Sequence, residues 1–595
     1  MKKDPADKKV LRDPIYGYIS IPTFVFDMVI DQAPFQRLRC IRQTSYEPLY
    51  SAALHNRFTH SIGVYHLGCM AFDAFKKSAS QLNIIDSAEW DRLEHVFTLA
   101  CLLHDVGHAP FSHTGEDFFK ASAPEKCLKE EIDSKDFSRG ISRKSAAPHE
   151  FMSAYLALKT FPEIFEGEDN GESPTQRDAR IRAEKELFAR CIIGHLYQPE
   201  QDGEDDPKPL DPKLALKNCL ISLLNSTIID VDRLDYVIRD SFVSGFQNMS
   251  IDYQRLLSSI CIAERDGSYQ LAYHKNALSI IENVVFAHDA ERKWIQNHPV
   301  VLYEHFLVQH AAEVVKRYYE GMRPDDAPGP GLFTYDSLSK TGNSFGDGLK
   351  ISLLSDDDIV YSLKNLPGCS DALTEEYFSR VDRRHAVWKS EAEFRALFEQ
   401  VLGPGLLDEL DAFFETLNKK LRNPDRREEL PVINDEFLDY CKEQQAKLNP
   451  LSEKDAQDLA QFLAQAIPIL EAMKKYMEDN GLAFSFVYVS AKQFHSTFGK
   501  SGIQKILVHY PKFKRSYYIT EISTIFNAGA SGREKFFYLF YQRKDKDGKR
   551  VDKKIDALSF SRMLCEHFIR IPAPPEPSAP PEPSEPPEPP SGTAG

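Results

Sequence analysis

The amino-acid sequence predicts a mainly α-helical protein with a smaller α+β region near its C-terminus and a disordered tail. Three observations lead there. Apolar residues recur at helical spacing in long segments, as in Leu93, Val96, Phe97, Leu99, Ala100, Leu102 and Leu103. From Phe484 the pattern changes to short β-branched and aromatic runs: Phe484-Ser-Phe-Val-Tyr-Val-Ser490, Ile506-Leu-Val-His-Tyr510 and Lys535-Phe-Phe-Tyr-Leu-Phe-Tyr541. Three near-identical hexads rich in proline and glutamate then run from Pro574 to Ser591, a stretch without the apolar residues or amide donors that a core needs.

In chain order, residues 1–322 read as one helical core interrupted by charged or Pro/Gly-rich surface loops at 123–147, 166–184 and 198–212. Within it, 281–322 has long helical character broken at Pro299. A Pro/Gly-rich break at 323–346 opens a second helical region, 323–480, followed by an α+β lobe at 481–571 and the tail at 572–595. The 595 residues, 42% apolar, suffice for a buried core. No run reaches the ~18 apolar residues of a membrane span, and the first residues lead into no signal-type stretch, so the expectation is a cytoplasmic protein with no membrane partner. Ten cysteines stand singly, without a Cys-x-x-Cys pair, as small hydrophobes of a reducing compartment do. A net charge of −16 disfavours nucleic acid as a partner; a phosphate-bearing substrate would have to be met locally, by a metal and a few basic residues.

Histidines concentrate in Leu102-Leu-His104-Asp105-Val-Gly107-His108-Ala-Pro110-Phe-Ser-His113. Asp86-Ser-Ala-Glu89 is a helix start signal, and the helix it opens should stop near His104 to Gly107, because Gly107 and Pro110 disfavour its continuation. His104 and Asp105 would then sit at a helix end, able to reach one ion. Two ligands hold a divalent cation poorly, so others must come from elsewhere. His55-Asn-Arg-Phe-Thr-His60 upstream offers imidazoles. Downstream, Asp230, Asp232 and Asp235 crowd an otherwise apolar helical stretch, where buried carboxylates need a countercharge.

The ordered set Asp13-Pro-Ile-Tyr-Gly17, Phe35-Gln-Arg-Leu-Arg39, His55-Asn-Arg-Phe-x-His-Ser61, His104-Asp-x-Gly-His-x-Pro-Phe-Ser-His113, His149-Glu150 and Asp230-Val-Asp-Arg-Leu-Asp-Tyr-x-x-Arg-Asp240 resembles the HD-domain phosphohydrolases, and within them the deoxynucleoside triphosphate triphosphohydrolases, including the catalytic core of the SAM-and-HD-domain dNTPases. The resemblance covers about residues 9–310, with a weaker stretch from Phe484 to Arg543. It implies an HD-domain helical core and metal-dependent hydrolysis of a dNTP to deoxynucleoside and inorganic triphosphate, serving deoxynucleotide pool control or phage defence.

By that resemblance the metal ligands are His60, His104, Asp105 and Asp232, holding one divalent transition ion (manganese, iron, zinc or nickel), with magnesium accompanying the substrate triphosphate. His108, His113 and His149 become phosphate-binding and leaving-group-protonating groups, with Glu116 orienting His113. Gln43, Arg57, Arg233, Tyr236 and Asp240 become substrate contacts: Arg57 and Arg233 on the phosphates, Tyr236 under the sugar, Asp240 on its 3′-hydroxyl. Lys9, Val10, Asp31, Gln36 and Arg39 stand at the spacing of an effector-nucleotide site shared with a neighbouring subunit, which implies a homo-oligomer (dimer, tetramer or hexamer). Three positions depart from the family: Gln296 stands where a tyrosine closes off the ribose 2′ position, His288 replaces a phosphate-binding arginine, and Thr44-Ser45 replaces a glycine-containing turn. His195 matches no ligand and reads as structural. Two other readings remain open, an HD phosphohydrolase acting on another nucleotide or on nucleic-acid ends, and a nucleotide sensor that binds without turnover.

Overall fold

Capping residues place the helices that matter most here. Asn56 accepts a hydrogen bond from the Thr59 amide and opens α1 (Arg57–Ala79). Asp86 accepts from Glu89 and opens α2 (Ser87–Leu103), which ends one residue before His104, as the sequence predicts. Proline at the first turn starts α3 (Pro148–Thr160), α4 (Pro174–Ile193) and α5 (Pro212–Leu224). Asp230 takes the amides of Arg233 (2.6 Å) and Ser226 (3.0 Å) and caps α6 (Val231–Ser244). The structure, a computed structural model, describes residues 7–166, 172–199, 210–226, 229–246, 250–321, 332–338, 343–345, 349–420, 432–448, 454–491, 506–513, 515–523 and 536–569 except where side chains are concerned at a few of them. The proline-rich tail and parts of the predicted surface loops lie outside the described residues.

The fold is mainly helical, in two compact units: residues 1–390 with 489–538, and residues 391–488 with 539–595. In the first, α1 is the central helix, buried along most of its length and packed by α2 and α6. Phe72, Phe75, Trp90 and Phe97 fill the joint between α1 and α2, with Phe72 and Phe97 stacked at 6.0 Å. Burial of four such side chains contributes on the order of 1.5–3 kcal/mol each and fixes the helix end that carries His104. Helix α7 (Leu278–Ala290) runs into a wider π-type turn at Glu291–Gln296, and Pro299 begins α8 (Pro299–Gly321), the predicted break. Further on, α9 (Asp356–Asn365) belongs to the same unit.

Two hairpins escaped the sequence reading. Strands β1 (Lys8–Asp13) and β2 (Gly17–Pro22) pair antiparallel ahead of the helices. Strands β3 (Ile260–Arg265) and β4 (Ser268–His274) are joined at Asp266 and Gly267, both at positive φ (+53° and +72°), the conformation that an Asp-Gly turn supplies. Leu507–Tyr510, here β5, pairs parallel to β4, and β6 (Arg515–Tyr518) pairs with β5. These strands were expected in a separate C-terminal lobe. They complete the sheet of the first unit instead, because the open edge of the β3–β4 hairpin accepts β5 and buries Leu507 and Val508.

The unit boundary at 390/391 also differs from the 322/323 division read from the sequence. Residues 349–390 join the first unit, where Asp356 is buried and accepts hydrogen bonds from the amides of Arg42 (2.9 Å) and Phe111 (2.6 Å). The second unit contains helices at Glu391–Lys420, Asp435–Leu448, Lys454–Asp479 and Ala557–Ile569, with strand Ser485–Ser490 pairing against Ile433–Asn434. Among the described residues no helix is long and apolar enough to cross a membrane, and every cysteine is a free thiol.

Candidate active site

The end of α2 becomes a tight turn whose backbone is held from two sides. Arg37, buried, donates to the carbonyls of Val106 (3.0 Å) and His108 (2.7 Å), and a Cβ at Gly107 would collide with the α3 backbone at Met152 and Ser153. Gly107 is therefore where α3 approaches the His104-Asp105 turn most closely. Sequence reasoning missed Arg37, although it lies within the quoted Phe35 to Arg39 motif.

The turn presents His104 and Asp105 to His60 on α1 and Asp232 on α6. His60 Nε2 lies 3.2 Å from His104 Nε2 and 2.9 Å from Asp232 Oδ1; His104 Nε2 lies 3.4 Å from Asp232 Oδ1. Asp105 sends Oδ1 to within 3.4 Å of His104 Nε2 and Oδ2 to within 3.5 Å of His60 Nε2. Donors at about 2.1 Å from one cation stand about 3.0–3.4 Å from their neighbours, and the separations among His60, His104 and Asp232 are of that size. The outer contacts agree. His60 Nδ1 is 2.7 Å from Asp235 Oδ2, and His104 Nδ1 is 2.9 Å from the Cys101 carbonyl. Each Nδ1 thus carries the proton, and each Nε2 lone pair faces the common point.

Asp235 is fully buried and is itself held by Arg239 through two hydrogen bonds, 2.9 and 3.0 Å long. Gly63, one turn after His60, leaves room for this pair; a Cβ there would strike the Asp235 carboxylate and the Arg239 guanidinium. The i, i+3 spacing of Asp232 and Asp235 was visible in the sequence, but the outward role of Asp235 was not. Burial would raise the Asp105 carboxyl, but Arg57, at 2.8 Å, and the neighbouring imidazoles hold it well below the usual carboxylate range. Burial would lower His60, yet Asp232, Asp235 and Asp105 raise it to about 9.

A second cluster adjoins the first. Glu116 Oε1 is 2.6 Å from His113 Nδ1, 2.9 Å from His149 Nδ1 and 3.7 Å from His108 Nδ1. The His108 and His149 rings stack at 4.3 Å, and His108 Nε2 lies 3.2 Å from Asp105 Oδ1, which joins the clusters. Burial would raise Glu116, but His149 and His113 hold it well below its ordinary value; burial would lower His149, but Glu116 raises it to about 9. The pair is ionised at neutral pH. Burial, with Arg57 beside it, drives His108 well below the ordinary imidazole value and keeps it neutral. Each cluster, His60/His104/Asp232 and His108/His113/Glu116/His149, has the donor set to hold a metal ion.

Both clusters open on a cavity of about 490 Å³ lined by Gln43, Arg57, Asp105, His113, His149, Asp232, Tyr236 and Asp240 among others. Arg57 is anchored to Asp105 and, through Nε, to Ser112 Oγ at 2.8 Å. Arg233 donates to the Tyr236 hydroxyl (3.2 Å), and Asp240 Oδ1 takes His55 Nε2 at 2.7 Å. Tyr236 and Asp240 share one face of α6, as their spacing predicts. His288 stands beside Tyr236, ring centres 6.3 Å apart, and Gln296 donates to Glu291. The suggested effector residues lie apart from this cavity: Lys9 is paired with Asp27 (3.0 Å) and Asp31 (3.4 Å), Gln36 with Arg39 (2.8 Å), and Val10 is exposed. His195 lies elsewhere, edge-on to Phe137 at 6.2 Å.

Residues 57–192 match the model of the HD domain family. Among curated proteins, the uncharacterized protein YwfO of Bacillus subtilis is 27% identical over 50% of this chain and 53% of its own. The deoxynucleoside triphosphate triphosphohydrolase SAMHD1 of Homo sapiens is 29% identical over 44% of this chain and 37% of its own. The SAMHD1 homolog of Dictyostelium discoideum is 29% identical over 42% and 39%. The chain thus spans about half, or less, of the length of these relatives. A hypothetical protein from Aquifex aeolicus, of solved structure, is 17% identical over 90% of this chain and 97% of its own, with a TM-score of 0.49.

Proposed function

With an HD domain over residues 57–192, we propose that this chain is a metal-dependent phosphohydrolase that cleaves a deoxynucleoside triphosphate into deoxynucleoside and inorganic triphosphate. The observation that carries the reading is the convergence of His60, His104 and Asp232 at coordination spacing, beside a second histidine group, with Asp232, Tyr236 and Asp240 lining one cavity.

In this reading His60, His104, Asp105 and Asp232 hold one divalent transition ion. Bound there, such an ion supplies positive charge to a phosphoryl oxygen and lowers the pKa of water. The chain's own residues do the rest. Arg57 turns toward the triphosphate, exchanging part of its contact with Asp105 for phosphate oxygens. His149, charged because Glu116 faces it, binds a phosphate oxygen, and His108 packs against it as a neutral partner. His113 is the proton donor: Glu116 fixes its Nδ1 and leaves Nε2 for the departing 5′-oxygen, and burial, which lowers its proton affinity, favours giving the proton up. Water adds to the α-phosphorus and releases one proton to solvent, the bond to the 5′-oxygen breaks, and that oxygen takes the proton held by His113. Tyr236 lies under the sugar with Gln43 beside it, Asp240 accepts its 3′-hydroxyl, and Arg233 fixes Tyr236 and adds positive charge.

The reading extends to an effector nucleotide at Lys9, Val10, Asp31, Gln36 and Arg39, to a homo-oligomer, and to magnesium on the triphosphate. The test is incubation of metal-loaded protein with each dNTP alone and in pairs, with separation of the products. Nucleoside plus triphosphate is expected, and turnover restricted to mixtures would identify the effector. Monophosphate plus pyrophosphate would contradict the assigned bond.

A further inference from the structure

Two acceptor atoms in the wall around Asp240 have no partner among the described residues. Glu291, at the start of the π-type turn, is fully buried and lines the cavity beside Asp240, which is 2% exposed. Glu291 Oε1 accepts from Gln296 Nε2 (3.0 Å) and from the Tyr46 hydroxyl (3.2 Å), whereas Oε2 has no hydrogen-bond donor among the described residues. Gln43 Oε1, in the same wall, also lacks one. Burial first and Asp240 second push the Glu291 carboxyl well above the usual range, as expected when two carboxyls face one another in a dry site. Among the described residues Glu291 Oε2 is left without a partner, and it becomes satisfied when a ligand brings a hydroxyl group to it. Two adjacent hydroxyls on a sugar stand a hydrogen-bond length apart and match two neighbouring carboxylates.

Building on the proposed nucleotide hydrolysis, we propose that Glu291 is a specificity residue that accepts the 2′-hydroxyl beside the 3′-hydroxyl on Asp240, so that the cavity admits ribonucleotides as well as deoxyribonucleotides. Gln296 and Tyr46 are positioning residues that aim the Glu291 carboxyl across the cavity. A wall built to exclude the 2′-hydroxyl would present an apolar or bulky group here. This wall presents a buried acceptor.

The experiment needs no variant for its first arm. Binding of the four ribonucleosides and their 2′-deoxy counterparts to the full-length protein is measured by calorimetry, without reliance on turnover, and cleavage of the matching triphosphates is followed in parallel. The ribo form should bind at least as tightly as the deoxy form for the preferred base. In Glu291→Leu, the ribo-to-deoxy affinity ratio should fall tenfold or more, and Glu291→Gln, of equal size, should lower it less. A tenfold or greater preference for the deoxy form in the unaltered protein overturns the proposal. So does a Glu291→Leu ratio equal to that of the unaltered protein, or absence of binding by every nucleoside. Cleavage of dNTPs without any sugar discrimination by Glu291 refutes this inference and leaves the proposed reaction standing. Sugar discrimination without cleavage of any triphosphate supports the inference and refutes the reaction.

Discussion

Two groups of histidines share one cavity, and they differ in where their ring nitrogens find partners. In the first, His60 and His104 are each gripped at Nδ1 from outside the group, by Asp235 and by the Cys101 carbonyl, so both Nε2 atoms point inward at one another. In the second, three rings crowd a single carboxylate, Glu116, through their Nδ1 atoms. An outer acceptor on each Nδ1, which turns each Nε2 toward one point, suits a cation. A shared inner carboxylate holds a proton on His149 while burial keeps His108 neutral and lowers His113, which suits the binding and protonation of an anion. Residue type alone does not separate the two groups; the direction of the second ring nitrogen does.

The sharpest way to break this contrast is a substitution in the proton-holding group. His113→Ala should lower turnover on the order of 10²–10⁴-fold while leaving bound metal per chain unchanged. Loss of metal in that variant, seen by elemental analysis, would mean that the two groups form one metal site. On the other side, Asp235→Asn removes the outer clamp of His60 and should weaken metal affinity about 10–100-fold, read by competition with a chelator. Unchanged affinity would reduce Asp235 to a structural partner of Arg239.

A smaller effect concerns pH. His149 has its charged form stabilised by Glu116, so that charge is present below about 9 and is lost as pH rises through that value. The basic limb of kcat/KM should therefore fall near pH 9. Glu116→Gln removes the carboxylate, and the limb should move down towards the ordinary imidazole value of about 6.5. A limb that stays in place would exclude His149 as its source. Least specific is Gly107→Ala, in which the new methyl meets the α3 backbone; it should destabilise the fold by about 1–3 kcal/mol in thermal denaturation, with both groups failing together.

Local chemistry explains which parts were legible in the sequence. The α2 start at Asp86 and its stop before His104 depend on a cap and on Gly107 and Pro110, all within a few residues, and the structure follows them. The pairing of β5 with β4 joins residues more than two hundred positions apart, and no pattern inside Leu507–Tyr510 specifies its partner strand. The β3–β4 hairpin was available through Asp266-Gly267 but lay in a stretch read for other motifs. His60, His104, Asp105 and Asp232 were named because their motifs are distinctive. Gly63 and Glu291 look ordinary in their own helix or turn, and Asp235 and Arg37, although inside quoted motifs, act through neighbours brought close only by folding.

In the proposed reaction, four side chains from three separate segments hold one cation on which hydrolysis depends. Elemental analysis of purified protein, alongside His104→Ala with Asp105→Ala, tests it most directly. The prediction is about one transition-metal equivalent per chain in the unaltered protein, with metal and phosphohydrolysis both lost in the double variant while the helical circular-dichroism signal persists. Full metal content in the folded double variant, or turnover that survives it, would contradict the account.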